Sequence, residues 1–208
     1  MATQTKAYCF RMEPTAAQEA ALKRMAGARR WVWNWALARK REYHQATGKT
    51  LTWVALSREL TVLKSQPETA WLKEANAQAL QQTLRDLEQA FAHFFARRAG
   101  LPLFKSRKRD PLRFRIPQRV KVKCSQVYLP KVGWIRIRQS QPVTETVKSA
   151  TFRRRADGHW YVALTVEFET SDAALPPPDP ASVVGVVLGR QDFLVTSDGE
   201  RVPVPKFY

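Results

Sequence analysis

The hydrophobic pattern of this chain changes its period twice, and this restricts the folds that the chain can adopt. Residues Lys6–Met12 alternate between apolar and polar side chains, which predicts a β-strand. Helical periodicity follows over Ala16–Gln45, Trp53–Lys64 and about Ala75–Arg98. Beyond residue 100 the alternation typical of strands returns. We therefore predict an α+β protein in which helices are inserted between the first strand and the remaining strands.

The later strands are short and separated by turn residues. Alternation predicts them at Arg119–Lys123, Gln126–Leu129, Gly133–Arg138, Val147–Arg155 and His159–Glu169. Residues 101–115 are basic, contain prolines and are predicted to be weakly structured. A proline-rich segment, residues 171–180, then precedes a three-stranded meander within residues 182–204.

A large excess of positive charge indicates the kind of partner. The chain has 35 Lys and Arg residues against 18 Asp and Glu residues, a net charge of +17. Such an excess is self-repulsive unless a polyanion neutralises it, and nucleic acid gains affinity from each phosphate contact. No stretch approaches the ~20 apolar residues of a membrane span, and residues 1–11 lack the apolar segment of a secretory signal. We therefore expect a cytoplasmic, nucleoid-associated protein with no membrane partner.

Two basic clusters are the strongest candidates for contact with RNA. The first lies near Phe104 and Phe114, whose rings can stack on unpaired bases, and it contains six cations: Lys105, Arg107, Lys108, Arg109, Arg113 and Arg115. The second is Arg153-Arg154-Arg155 beside a predicted hairpin turn, where the same charges would also protect an edge strand from aggregation. A solvated run of charge is the alternative for the first cluster.

Aromatic and amide side chains on the helices have two interpretations. Trp31 and Trp35 share a helix face and Trp33 points away, so at least one of the three packs in the core while another can stack on a base. The polar face opposite Leu80 carries three glutamines: Gln78, Gln81 and Gln82. Glutamine can bind adenine through two hydrogen bonds, but it is also a common helix former.

The sequence contains no recognisable metal site. Cys9 and Cys124 stand alone, without the CxxC spacing of zinc ligands, and we predict that both are buried as small apolar residues. The three histidines have no partner at ligand spacing: His44, His93 and His159. We therefore expect no metal and no small-molecule cofactor.

A specific resemblance begins at Ser182, in the sequence SVVGVVLGRQDFLVTSDGE. It resembles the opening of the RuvC nuclease domain in TnpB, the family of RNA-guided nucleases encoded by insertion-sequence transposons and related to the type V CRISPR effectors. Short sequence motifs upstream of Ser182 resemble the N-terminal half of the same family. Among them are Glu13-Pro14-Thr15, Gln78-Ala79-Leu80-Gln81 and Leu129-Pro130-Lys131-Val132-Gly133-Trp134. Their order and spacing extend the resemblance to almost the whole chain.

The resemblance implies a wedge-like β-barrel, residues 1–12 plus 101–170, with an inserted helical recognition domain, residues 13–100. A linker, residues 171–181, leads to a truncated, three-stranded start of the RuvC (RNase H-like) domain, residues 182–208. In the family, the barrel and the helices hold a guide RNA and read a short motif beside a double-stranded DNA target.

Family positions also imply site residues. Ala77 stands where some relatives carry lysine, so the motif read here can differ. The positions that read the DNA motif are Trp53, Ser57, Gln78, Gln81 and Gln118. The positions that contact RNA or the heteroduplex are Arg30, Asn34, Phe104, Lys105, Arg107, Lys108, Arg113 and Arg115.

One departure from the family concerns catalysis. Val187 stands where the family has its first catalytic aspartate, and valine offers no oxygen to the two metal ions of a RuvC site. The later carboxylates of the family would follow residue 208. We therefore expect a nuclease-dead protein, not an enzyme, that a guide RNA directs to DNA and that represses transcription by occupying it.

Two alternatives stay open. The chain is an RNA-binding remnant of a decayed transposon nuclease without guided DNA activity, or it is a nuclease completed by another chain. The final meander has no helix to cover Val183, Val186 and Phe193, which favours a partner, instability or a homo-oligomer.

Overall fold

A capping box starts the longest helix. Thr15 Oγ1 accepts a hydrogen bond from the Gln18 N–H at 3.3 Å, and Gln18 Oε1 accepts one from the Thr15 N–H at 3.0 Å. These bonds satisfy two backbone donors at the helix start. Helix α1 spans Ala16–Thr47 and ends at Gly48, whose φ of 69° suits glycine. Its buried face contains the residues that periodicity predicts: Leu22, Met25, Val32, Trp33 and Leu37.

Three shorter helical segments follow α1. Helix α2 spans Trp53–Leu63, and the Thr52 side chain caps its start. A 3₁₀ helix spans Pro67–Glu74. Helix α3 spans Ala77–Phe95. It begins at Ala77 because the Asn76 side chain accepts hydrogen bonds from the first backbone N–H groups of the helix. The apolar stripe of α3 is fully buried at Leu80, Leu84 and Leu87.

The computed structural model describes residues 2–170, 183–189 and 192–204. The chain divides into two compact units, Thr3–Glu169 in one and Met1–Ala2 with Thr170–Tyr208 in the other. The predicted division into barrel, helical domain and linker stays a prediction, and the linker at 171–181 lies outside the described residues. No helix of the described part is long and apolar enough to cross a membrane.

Seven strands form one curled, antiparallel sheet in the order β2-β6-β7-β1-β5-β4-β3. The strands are β1 (Ala2–Glu13), β2 (Arg113–Ile116), β3 (Lys121–Lys123), β4 (Gln126–Leu129), β5 (Gly133–Arg138), β6 (Thr146–Arg154) and β7 (Trp160–Thr170). Strand β1 lies in the middle of this sheet, although the helices separate it along the chain from the other six strands. The helices are therefore inserted between the first strand and the later strands of one sheet. This confirms the predicted α+β class, whereas the wedge-like detail of a barrel stays a prediction.

Residues 101–115 were predicted to be weakly structured, and this is wrong for the last residues of the segment, which belong to strand β2. Phe114 and Ile116 alternate with two exposed arginines and are fully buried. Phe114 stands opposite Phe152 of β6, and the two rings stack with their centres 5.0 Å apart. Phe114 is therefore a core residue and not a surface for stacking bases.

Both cysteines are exposed, so the prediction that they are buried is wrong. Cys9 alternates with Tyr8 and Phe10, which face the core, and successive side chains of a strand point to opposite faces. Its Sγ accepts a hydrogen bond from Arg155 Nη2 at 3.3 Å. Cys124 lies in the turn between β3 and β4, with a φ of 48°.

The described residues beyond 182 form a small antiparallel sheet. It consists of β8 (Val186–Val187), β9 (Asp192–Thr196) and β10 (Arg201–Pro203), in the order β10-β9-β8. This confirms the predicted meander, while its identity as the start of a RuvC domain stays a prediction. Val183, Val186 and Phe193 are exposed in this sheet.

The substitutions Phe114→Ala and Phe104→Ala distinguish a core ring from a surface ring. Removing the fully buried Phe114 side chain leaves a cavity and should lower the free energy of unfolding by about 3–5 kcal/mol. Phe104 is 43% exposed, and its removal should cost about 1 kcal/mol or less. Urea denaturation followed by far-UV circular dichroism measures both values. Equal decreases in the two variants would contradict the core position of Phe114.

Candidate nucleic-acid interface

Helix α1 fixes the backbone of the basic loop, residues 101–112. Asn34 Nδ2 donates to the Lys105 carbonyl oxygen at 2.9 Å, and Asn34 Oδ1 accepts from the Lys105 N–H at 2.7 Å. These two bonds use both ends of the amide within the protein. Asn34 therefore positions the basic loop, and its implied contact with RNA stays a prediction.

Two further residues of α1 hold the same loop. The Trp33 indole N–H donates to the Leu103 carbonyl oxygen at 3.0 Å, and Arg41 Nη2 donates to the Pro102 carbonyl oxygen at 3.2 Å. The Arg41 guanidinium also lies 4.8 Å from the centre of the Phe104 ring. Trp33 is the buried member of the three tryptophans, which confirms that at least one of them packs in the core. Trp31 and Trp35 share a helix face, as predicted, and their rings stack on each other.

Within the basic loop, Lys105 is engaged by an acid and an aromatic ring. Lys105 Nζ lies 3.5 Å from Asp110 Oδ1 and 4.4 Å from the centre of the Trp33 ring. Asp110 Oδ2 also accepts a hydrogen bond from the Ser106 N–H at 2.7 Å. The Lys105 ammonium therefore contributes to the folding of the loop. Its contact with RNA stays a prediction.

A groove of 1190 Å³ lies between the basic loop, the first half of α1 and the end of β6. We call it the basic groove. Nine of its thirteen lining residues are cations, and three chain segments contribute them: Lys23, Arg24 and Arg30, then Arg107, Lys108 and Arg109, then Arg153, Arg154 and Arg155. Asp110 is the one acid among the residues that line it. The groove thus joins both basic clusters that the sequence analysis identified.

Most of these cations are not neutralised by acids in the part of the chain that the structure describes. Lys23 and Arg154 share Glu19, at 2.7 and 3.9 Å, and Arg24 lies 3.7 Å from Glu74. The other six cations form no ion pair with any residue in the described part of the chain. A polyanion would find most of the groove's positive charge available.

The predicted RNA contacts divide into residues that line the basic groove and residues that do not. Arg30, Arg107 and Lys108 line it. Arg113 stands directly opposite the lining residue Arg153 in the β2–β6 pair, a like-charge arrangement that is unfavourable without an anion. Arg115 does not line the groove and donates to Ser149 Oγ at 3.2 Å.

Sequence reasoning named Arg30 but missed Lys23 and Arg24, which lie nearer the start of α1 and also line the groove. Lys23 and Arg30 are seven residues apart, which is two helical turns, so both side chains lie on one face of the helix. That spacing was the available signal. The approach of Arg153 to the basic loop carried no local signal, because it depends on the pairing of β2 with β6.

A smaller pocket of 150 Å³ brings three predicted motif-reading residues together. Gln78 and Gln81 of α3 and Gln118 of the β2–β3 loop line it, and we call it the glutamine pocket; its other lining residues are Gln82, Arg85 and Pro117. Gln78 Oε1 is buried and has no hydrogen-bond partner among the described residues. A buried oxygen without a donor is costly to the fold.

The two remaining motif-reading candidates lie on α2. The Arg85 guanidinium, which lines the glutamine pocket, stands 4.4 Å from the centre of the Trp53 ring. The Trp53 N–H donates to Glu88 Oε1 of α3 at 3.1 Å, which fixes α2 against α3. Ser57 lies one helical turn beyond Trp53 and does not line the pocket.

A partly buried ion pair is linked to the glutamine pocket through Gln82. Gln82 Nε2 donates to Asp86 Oδ1 at 2.9 Å, and Arg29 Nη2 of α1 lies 3.6 Å from Asp86 Oδ2. Burial lowers the pKa of the Arg29 guanidinium, and the charge of Asp86 opposes this shift. The pocket is therefore built on the contact between α1 and α3.

No group of three His, Cys, Asp or Glu side chains in the described residues could hold a metal ion. The expectation that the protein needs no metal or small-molecule cofactor stays a prediction.

Comparison with known proteins identifies relatives. The helix-turn-helix domain profile of the IS605 OrfB family matches residues 1–49, which contain β1 and α1. The chain is 40% identical over 196 residues to "Putative RNA-guided DNA endonuclease InsQ" of Escherichia coli K12, covering 93% of this chain and 48% of that protein. It is 33% identical over 205 residues to "Putative RNA-guided DNA endonuclease" of Streptomyces pristinaespiralis, covering 97% and 50%. The chain thus spans about half the length of these curated relatives.

These relatives overturn the expectation that the chain is not an enzyme. Both are named as endonucleases, and their similarity covers nearly all of this chain. The expectation had relied on Val187 and on segments beyond residue 208. Val187 lies in the two-residue strand β8 with 69% of its surface exposed. A single position in a chain that matches half of its relatives is not sufficient to decide the activity.

The substitution Asn34→Ala should loosen the basic loop without changing any charge. It removes the acceptor of the Lys105 N–H and the donor to the Lys105 carbonyl oxygen. With about 1 kcal/mol for each bond, hydrogen exchange of the Lys105 amide should become roughly tenfold faster or more. Gln45→Ala, an exposed substitution on the same helix, should leave that rate unchanged. An unchanged Lys105 rate in Asn34→Ala would show that Asn34 does not hold the loop.

Proposed function

This chain belongs to the TnpB-like OrfB family, and we propose that it binds a guide RNA and, with it, a double-stranded DNA target that carries a short flanking motif. The observation that carries the proposal is the basic groove, in which nine cations from three chain segments meet. The names of its relatives as RNA-guided DNA endonucleases support the same kind of partner.

The basic groove suits a phosphate backbone better than a small anion. Its cations are spread over a volume of 1190 Å³ and most of them have no acidic partner among the described residues. Arginine side chains dominate, and their planar guanidinium groups bind phosphate through two hydrogen bonds. Contacts of this kind supply affinity but carry no sequence information. The groove would therefore hold the guide RNA or its duplex with the target strand.

Sequence readout at the flanking motif is assigned to the glutamine pocket. Its amides offer both donors and acceptors, and a glutamine pairs with adenine through two hydrogen bonds in the major groove. Trp53 and Arg85 stand beside it and can add apolar and cationic contacts.

Transcriptional repression would follow where the matched DNA is a promoter. Occupancy of that site blocks polymerase, so repression depends on binding. The second candidate function is RNA binding without guided DNA recognition. It is favoured because the basic groove, which suits a phosphate backbone, is much larger than the glutamine pocket, to which sequence readout is assigned.

Neutralising two cations of the basic groove should reduce the salt dependence of RNA binding. In Arg107→Ala/Lys108→Ala, the slope of log affinity against log salt should become shallower by about 0.7–0.9 for each phosphate that the variant no longer neutralises. Lys49→Ala/Arg58→Ala removes the same charge at exposed positions outside the groove and is the matched control. Fluorescence anisotropy with the RNA that co-purifies with the protein gives both slopes. Identical slopes in the two variants would refute the groove as the RNA site.

Removing one amide of the glutamine pocket should relax motif preference without weakening RNA binding. For Gln81→Ala or Gln118→Ala, the affinity ratio of motif-flanked to scrambled-motif DNA should fall by about 5- to 100-fold, the usual value of one bidentate base contact. Gln89→Ala, exposed on α3 outside the pocket, should keep the ratio. Gel-shift titration of the RNA-loaded protein measures it. RNA binding with no preference for matching, motif-flanked DNA in the wild type would favour the second candidate function.

A further inference from the structure

The outer face of β3, β4 and β5 carries an aromatic pair that neither the basic groove nor the glutamine pocket uses. Trp134 of β5 stands directly opposite Tyr128 of β4, and their ring centres are 5.3 Å apart. The next pair along, Val127 and Ile135, is fully buried, so Tyr128 and Trp134 point away from the core. Trp134 is nevertheless 40% exposed, although a large ring gains free energy from burial.

Cations surround this pair on the same face of the sheet. Lys121 of β3 stands opposite Tyr128, so Lys121, Tyr128 and Trp134 form a row across three strands. Lys123 and Arg136 flank the next row of the same face. All three cations are exposed, and none forms an ion pair with a described residue. Glu13 of β1 stands opposite Arg136 in the strand register, but its carboxylate forms an ion pair with Arg138 instead. Glu13 Oε1 lies 2.6 Å from Arg138 Nε.

The position of Trp134 is fixed by main-chain contacts. Its strand pairs with β4 on one side and β1 on the other. Its carbonyl oxygen also accepts a hydrogen bond from Gln18 Nε2 at 2.8 Å, which ties it to the start of α1. An exposed ring on a rigid strand loses little conformational entropy when another ring stacks on it.

We propose that Lys121, Lys123, Tyr128, Trp134 and Arg136 form a stacking platform for unpaired nucleotides of RNA. A base stacks on Trp134, and the neighbouring phosphates contact the surrounding lysine and arginine side chains. Sheets that present aromatic rings among cations bind single strands in this way, largely independently of sequence. The core of a protein interface is depleted of charge, so three cations around two rings favour an RNA segment over a protein partner.

The proposal is tested with two short RNAs that carry the same phosphates. One is an eight-nucleotide oligouridine and the other is an abasic RNA of equal length, each labelled for fluorescence anisotropy with the full chain. The wild type should bind the oligouridine about tenfold more tightly than the abasic RNA, because stacking requires bases. Trp134→Ala should abolish this preference while abasic binding stays unchanged, and Trp134→Phe should retain most of it.

Two further variants keep the test independent of folding defects and of the basic groove. Lys121→Glu/Lys123→Glu changes exposed charges only and should weaken binding of both RNAs. Phe95→Ala, which removes an exposed ring on α3, and the groove variant Arg107→Ala/Lys108→Ala should both keep the preference for bases. The platform would be overturned if Trp134→Ala still bound the oligouridine more tightly than the abasic RNA. It would also be overturned if Lys121→Glu/Lys123→Glu bound both RNAs as tightly as the wild type. Either result would leave this face to a protein partner.

Discussion

The central position of β1 in the sheet is the constraint on which the rest of the structure depends. Its neighbours β7 and β5 lie more than a hundred residues further along the chain, so the helices that follow β1 must leave the sheet and the chain must return to it. The return segment runs along α1, where Trp33, Asn34 and Arg41 bind its backbone. This course delivers the basic loop to the sheet edge, where β2 pairs with β6. The basic groove is a consequence of that topology.

The core beneath the groove stabilises an arrangement that electrostatics opposes. Arg113 and Arg153 stand opposite each other on one face of the β2–β6 pair, and the adjacent pair Phe114 and Phe152 is stacked and fully buried on the other face. Like charges directly opposite cost roughly 0.2–1 kcal/mol, whereas burial of each phenylalanine contributes about 1.5–3 kcal/mol. Burial therefore outweighs repulsion, and the sheet can present unneutralised arginines that a bound polyanion would stabilise further.

Local periodicity was sufficient to predict most elements, but not the residues that meet across the fold. The stripe from Leu22 to Leu37 and the alternation around Gln126–Leu129 follow from side-chain direction alone. Alternation also contained the answer for Cys9, since Tyr8 and Phe10 take the inward positions, yet a general preference for buried cysteine outweighed it. β2 escaped prediction because prolines and cations surround its two apolar residues. Spacing within one helix could indicate Lys23 with Arg30 and the glutamines of α3. The approach of Arg153 to the basic loop and of Gln118 to α3 carried no such signal, because each brings together distant segments of the chain.

In the proposed function, the basic groove would supply affinity and the glutamine pocket would read the sequence, for physical reasons. A lining of nine cations attracts any phosphate backbone and distinguishes no base, so the basic groove alone would bind nucleic acid without preference. The glutamine pocket has a volume of only 150 Å³, so it has room for little more than one base edge and would contribute little to affinity. The ion pair of Arg29 with Asp86 joins α1, which lines the groove, to α3, which carries the glutamines, so the two sites stand on helices that contact each other. A nucleic acid held in the groove would therefore approach the pocket in a fixed geometry, and a few amide contacts would be enough to select among sequences already bound.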